Sequence, residues 1–286
     1  MAKTGKHVSM HSDSDLREPV ISAFLVRHGW ADAARQSLGQ DASTRRYIRL
    51  TRPGGETALL MDAPRIEADP CPPDADDATR NAMGWNAQTR LAASRVDAFV
   101  LIANHLRALG FEAPEIHAHD TAQGLALIED FGDSIFARII ETGEDEAALY
   151  EAAACALAVV HQVPAPNEIP VGDQAWRVHD YDALALRVNA ELFPRWAPQY
   201  DAAIAFSDRH TVRWESALNA LISQALSFPR AMILRDYHAE NLIWLPDRTH
   251  VKRVGLLDFQ DAVNGWGEWD FAMLLQDARR TVSEDA

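Results

Sequence analysis

The chain has 286 residues, 48% of them hydrophobic and 24% charged, enough for one large core or two modest ones in an ordinary globular protein. A formal net charge of −15 argues against a nucleic-acid or anionic-membrane partner, and no apolar run reaches transmembrane length. Two cysteines, Cys71 and Cys155, are too few for a disulfide framework and form no metal-binding spacing, so a cytoplasmic enzyme is the simplest expectation.

Residues 1–18 are polar, lack periodicity and read as a disordered leader. Pro19 opens an apolar-periodic stretch over 21–28 that predicts a helix ending at Gly29, and 20–26 is too short and poorly flanked for a signal peptide. Residues 34–38 and 47–51 predict two strands around a tip at 39–44. Small, turn-forming residues at such a tip let backbone N–H groups approach a phosphate, and Arg45, Arg46 and Arg49 follow directly. A third strand is expected over 57–61. Residues 67–93, rich in Asp, Ala, Pro and Asn, read as an inserted loop. Val96, Phe99, Val100, Ala103 and Leu106 then give the spacing of an amphipathic helix over 94–109, closed by Gly110, with Asp97 as an exposed first-turn charge. Residues 125–131 look like a buried strand ending in a turn. An alanine-rich helix is expected over 146–161, with His161 at its end as a packing or dipole residue. A further helix over 181–192 leads into Leu192-Phe193-Pro194-Arg195-Trp196.

The chemistry concentrates in 233–261. Residues 242–245 and 251–257 are short apolar runs around Pro246-Asp247-Arg248-Thr249, which predicts a buried β-hairpin. Asn241 and Asp258 would flank its open end, where facing residues lie roughly 4.5 to 5.5 Å apart, so an amide oxygen and a carboxylate converge as a hard-cation site suited to Mg²⁺. Asp236 stands five residues before Asn241. Taken singly, such residues close turns or cap helices. The order D-x4-N…D-F around an apolar hairpin points instead to phosphoryl transfer, with Asp236 as the base for an acceptor hydroxyl and Asn241 and Asp258 as metal ligands.

Arg235-Asp236-Tyr237-His238-Ala239-Glu240-Asn241, then Gly255-Leu256-Leu257-Asp258-Phe259-Gln260-Asp261, then Leu274-Leu275-Gln276-Asp277 resemble the aminoglycoside phosphotransferase-like kinases, and among them the bacterial anomeric kinases of N-acetylmuramate and N-acetylglucosamine. The resemblance spans about residues 24–280. It implies an α+β, two-lobed protein-kinase-like fold: a small β-rich N-lobe over 19–130 and a mainly helical C-lobe over 131–286 whose relatives continue with further helices. It also implies ATP and Mg²⁺ as cofactors, a small amino-sugar acceptor and a monomer.

Asp41-Ala42-Ser43-Thr44-Arg45-Arg46-Tyr47 is similar to what these kinases show in place of a glycine-rich loop, which assigns Ser43, Arg45 and Arg46 to the triphosphate. By the same likeness the Glu129 carbonyl and the Phe131 N–H would read adenine. Tyr181, Glu191 and Trp196 lie where the fold builds its acceptor pocket, and Asp270 would cap a helix and brace the catalytic loop.

The sequence departs from the kinase pattern in three places. Leu234 stands for the histidine of His-Arg-Asp, Gln260 for the glycine of Asp-Phe-Gly, and the third strand lacks the ATP-pairing lysine. Two other readings therefore stay open: a kinase of another small alcohol, such as an aminoglycoside or choline, and a nucleotide-binding pseudokinase.

Overall fold

The computed structural model describes residues 13–40, 45–64, 71–92 and 95–284. It divides into two compact units, one of residues 1–66 and 116–130 and one of residues 67–115 and 131–286. One division falls between residues 130 and 131. Residues 67–115, expected in the N-lobe, belong instead to the second unit.

The first unit pairs one helix with one sheet. Helix α1, Asp13–Arg27, begins upstream of Pro19, inside the stretch read as a leader. Strands β1 (Ala34–Gln40), β2 (Arg46–Thr51), β3 (Thr57–Asp62), β4 (Ile116–Asp120) and β5 (Leu125–Ile128) form an antiparallel sheet in the order β1-β2-β3-β5-β4. Ile21, Phe24 and Leu25 of α1, with Trp30, pack on Leu50, Ala58, Leu60, Leu125 and Leu127. The pairs Leu50↔Ala58, Ile48↔Leu60 and Arg46↔Asp62 share that face, because strand residues alternate sides. Tyr47, Arg49, Leu59 and Met61 consequently line the opposite face.

An ion triad centred on a buried carboxylate ties α1 to the sheet. Asp62 is 0% exposed; Oδ1 accepts from Arg17 Nε at 3.0 Å and Nη2 at 2.5 Å, and Oδ2 accepts from Arg46. Gly124, in the β4–β5 turn, has φ +68, and a Cβ there would stand 2.0 Å from the Ala63 carbonyl oxygen.

The second unit is mainly helical. The expected loop over 67–93 contains two short helices, α2 (Asp77–Met83), capped by Asp76, and α3 (Trp85–Gln88). Helix α4 (Val96–Ala108) buries Phe99, Val100, Ala103 and Leu106, as its periodicity requires. Helices α5 (Phe136–Glu141) and α6 (Glu146–Val160) follow, then a hairpin of β6 (Glu168–Val171) and β7 (Gln174–Arg177). Helix α7 (Ala183–Ala190) starts later than expected, because the Asp182 side chain accepts from the Ala185 N–H at 3.1 Å and caps it. Helices α8 (Leu192–Tyr200) and α9 (Asp208–Ala225) precede strand β8 (Ala231–Ile233). The predicted hairpin is β9 (Leu242–Trp244) with β10 (Val254–Leu256); β11 (Val263–Gly265) pairs with β8, and α10 (Glu268–Leu275) follows. Among the described residues no helix is long and apolar enough to cross a membrane.

Candidate active site

The β9/β10 hairpin holds Leu256 opposite Leu242, and the Leu257 N–H donates to the Asn241 carbonyl at 3.0 Å, extending the ladder by one rung. That rung leaves Asn241 and Asp258 at the open end, as expected. Asp258 has φ +53, a left-handed conformation that Asp tolerates better than most residues. Its Oδ1 accepts from Gln260 Nε2 at 2.8 Å, so the residue standing where a glycine was expected orients the carboxylate.

The loop from β8 to β9 carries Asp236. Its entry is fixed by Asp270, 0% exposed in α10: Oδ2 accepts from the Leu234 N–H and Oδ1 from the Arg235 N–H, both at 2.8 Å. His161 Nε2 lies 3.2 Å from Asp270 Oδ2. The expected brace is present; the expected cap is not, because α10 starts at Glu268 and the Asp270 carboxylate is committed to the loop. Arg235 has φ +73, its Nη1 donates to the Thr89 carbonyl at 3.0 Å, and its guanidinium lies 5.0 Å from the centre of the Tyr181 ring. The buried Tyr237 hydroxyl donates to the Ala153 carbonyl at 3.0 Å.

Asn241 closes the loop. Its Nδ2 donates to the Asp236 carbonyl at 2.9 Å and lies 3.2 Å from His238 Nε2, which leaves Oδ1 as the acceptor atom of the amide. The pKa of Asp236 is raised from the usual carboxylate value, first by burial and then by the Asp258 charge, against the lowering effect of Arg235, His238 and Arg279. A raised pKa makes Asp236 a better proton acceptor. Burial likewise pushes Asp261 up to about 6, although its Oδ1 accepts from the Ala92 N–H at 2.5 Å.

The donor set fits Mg²⁺. An amide oxygen and a carboxylate are hard ligands, and the Asp236–Asp258 repulsion is what a divalent cation would relieve. No cluster of three or more His, Cys, Asp or Glu suited to a metal occurs among the described residues, so the protein would supply two ligands and phosphate oxygens or water the remainder.

The other sequence candidates are distributed differently. Ser43 lies outside the described residues. Arg45 is buried just before β2, while Arg46 is committed to Asp62 on the α1 side of the sheet. Arg49, on the opposite face, grips Asp130 through Nε at 2.7 Å and Nη2 at 3.0 Å. Glu129 follows β5 in the first unit; Phe131 belongs to the second, where its ring approaches Gly255 so closely that a Cβ there would meet it at 3.0 Å. β3 ends on Asp62 and carries no lysine; Lys252, the one lysine among the described residues, lies 3.6 Å from Glu112. Asp97 accepts from Arg95 Nε at 2.7 Å rather than standing alone. Tyr181 is in the core with Ile233, Val263 and Trp266, whereas Glu191 and Trp196 are exposed.

A buried carboxylate on a braced loop, an amide five residues later and a second carboxylate at the far side of a short hairpin form the arrangement expected of a phosphotransferase of the protein-kinase-like class. The chain belongs to the phosphotransferase enzyme family, whose profile matches residues 35–286. It is 47% identical over 273 residues to an N-acetylmuramate/N-acetylglucosamine kinase of Caulobacter vibrioides, covering 95% of this chain and 75% of that protein. It is 29% identical over 254 residues to the protein of the same name from Pseudomonas putida, covering 88% of this chain but only 62% of that one. Among solved structures, the fold is shared with a choline/ethanolamine kinase family protein from Mesorhizobium loti (TM-score 0.53, 14% identity, 95% of this chain and 73% of that one). It is also shared with the GDP complex of aminoglycoside 2'-phosphotransferase-IIIa (TM-score 0.52, 12% identity, 91% and 78%).

Proposed function

We propose that this chain transfers the γ-phosphoryl group of ATP to the anomeric hydroxyl of N-acetylmuramate, N-acetylglucosamine or both, as a cytoplasmic monomer serving cell-wall recycling. The observation that carries the reading is the convergence of Asp236, Asn241 and Asp258 in a chain 47% identical to a kinase named for those two sugars. Asp236 orients the acceptor hydroxyl and takes its proton as the new oxygen–phosphorus bond forms and the bond from the γ-phosphorus to the ADP leaving group breaks. Asn241 Oδ1 and the Asp258 carboxylate would hold Mg²⁺, which when bound would offset charge on the phosphate oxygens. Arg45, with the Ser43 region, is assigned to the triphosphate, and the Glu129 carbonyl and Phe131 N–H to the adenine edge. Arg46 is a weaker candidate for the triphosphate, because Asp62 already holds it on the α1 face.

The absent strand lysine does not remove the chemistry, since guanidinium groups bind phosphate through a fixed fork of donors. Phosphate transfer from ATP·Mg²⁺ to each sugar, followed by ³¹P NMR in wild type and Asp236→Asn, tests the reading. A sugar 1-phosphate lost in the variant is expected; a 6-phosphate, or no product on either sugar, overturns it.

A further inference from the structure

The second unit buries a cluster of cations that the transfer step does not use. Arg80 is 1% exposed and Arg90 8%. Arg80 is fully engaged: Nε donates to the Ala87 carbonyl at 3.2 Å and Nη2 to the Gln88 carbonyl at 2.6 Å, while Nη1 and Nη2 fork onto Asp182 at 2.5 and 3.0 Å. Arg90 is served poorly. Its Nε is buried with no hydrogen-bond partner among the described residues, and Nη1 reaches Cys71 Sγ and the Pro72 carbonyl only at 3.5 Å. Nη2 stands 3.9 Å from Asp182, the carboxylate Arg80 already holds. A buried guanidinium with unmatched donors is costly, and so is the left-handed backbone of Arg90, φ +59; strained residues of this kind cluster at active sites and ligand clamps.

The nearby carboxylates serve Arg80 rather than Arg90: Asp182 and Asp77, the latter at 3.6 Å, both pair with Arg80, and Arg90 approaches Asp182 only at 3.9 Å. The neighbouring His179 carries no positive charge at neutral pH, because burial first, then the charges of Arg90, Arg177 and Arg80, push its pKa down to about 4. The segment carrying Arg90 is tied to the catalytic loop on both sides. The Thr89 carbonyl accepts from Arg235, the residue before Asp236, and the Ala92 N–H donates to Asp261.

We propose that Arg90 is a specificity-determining residue that receives the carboxylate of an acidic sugar acceptor. The inference rests on the acceptor reading above. N-acetylmuramate differs from N-acetylglucosamine by a lactyl ether that ends in a carboxylate, so Arg90 would pair with the first sugar and contribute nothing to the second. A bidentate guanidinium–carboxylate contact would satisfy the donors that the protein leaves unmatched.

The test compares kcat/KM for the two sugars in wild type, Arg90→Gln and Arg90→Lys, with thermal melts to confirm folding. In Arg90→Gln the N-acetylmuramate to N-acetylglucosamine ratio is expected to fall by about ten- to a hundredfold, as loss of a charge-assisted pair implies. Arg90→Lys, which keeps the charge and loses the fork, is expected to lie between and decides the matter should the Gln variant not fold. An unchanged ratio overturns the inference, as does an equal loss on both sugars. If wild type turns over neither sugar, it is the substrate reading that fails, and calorimetric binding of the two sugars then tests Arg90 directly. Tighter binding of N-acetylmuramate, erased by Arg90→Gln, supports the assignment; equal binding of the two sugars by wild type refutes it.

Discussion

Replacing Asp270 with Asn removes one charge and almost no volume, and it isolates what the loop brace contributes. Each carboxylate oxygen accepts one backbone N–H, from Leu234 and from Arg235, at 2.8 Å, inside a fully buried site. Hydrogen bonds to an ionised group contribute roughly 1.5–3 kcal/mol each. Asn keeps one oxygen and presents an NH₂ to the other backbone N–H, so one bond is lost and two donors face each other. A destabilisation of about 2–4 kcal/mol follows, or a Tm lowered by roughly 5–10 °C for a protein of this size. The loop also carries Asp236, and a displacement of about 1 Å at a reacting group costs on the order of 10²-fold in rate. Turnover should therefore fall by about that factor while nucleotide affinity, measured with a non-hydrolysable ATP analogue, stays close to wild type. Thermal melts and steady-state kinetics provide both readouts. An Asp270→Asn variant with wild-type Tm and kcat would refute the claim that the carboxylate holds the loop; a fall in nucleotide affinity equal to the fall in rate would show that the damage is general.

Three other changes probe separate parts of the molecule. Asp258→Asn is expected to reduce turnover at least as much as Asp236→Asn, whose loss as a general base is about 10²- to 10⁴-fold, and initial rates at saturating substrate compare the two. Gly124→Ala forces a Cβ against the Ala63 carbonyl from a left-handed backbone and should cost more than about 2 kcal/mol in urea unfolding; a neutral result would mean that the β4–β5 turn relaxes freely. The third is a pH effect at Asp182. Burial, the largest single influence, raises its pKa, but the Arg80 and Ala185 hydrogen bonds and the Arg80 and Arg90 charges outweigh it and hold the folded value below the usual 3.8. The native state therefore binds fewer protons there than the unfolded chain. The stabilisation is present above the unfolded pKa and disappears as pH falls through the folded one. Asp182→Asn should be less stable than wild type at neutral pH, and its urea midpoint should fall less steeply below about pH 4. Parallel slopes would contradict the assignment.

The parts of this protein that could be read from sequence are those whose signal is local. Helices α4 and α6 announce themselves through apolar spacing, and the β9/β10 hairpin through two apolar runs around a turn. Asn241 and Asp258 are legible together because the hairpin between them fixes their separation, and Asp236 because it stands only five residues before Asn241. The start of α1 was hidden because residues 13–18 are polar, and α2 and α3 because they are too short to show a period. Strand β4 carries histidines at its exposed positions, which masks its alternation.

Long-range charge contacts leave no local trace. Arg17–Asp62 and Arg80–Asp182 join residues 45 and 102 positions apart, and only the packed structure brings them together. Arg46 illustrates the limit from another side. Its neighbours suggested a phosphate ligand, but which face of the sheet it occupies depends on where α1 lies, and no short window of sequence contains that.

The first unit is assembled from two separated stretches of chain, and this bears on how the protein can be dissected. A fragment ending near residue 66 would lack β4 and β5, leaving β3 with its Leu59–Asp62 ladder unpaired along one whole side. An apolar edge of that kind invites pairing between chains. Cutting at the visible boundary would thus yield an aggregating piece, and the first unit prepared for separate study would need residues 116–130 spliced back onto it.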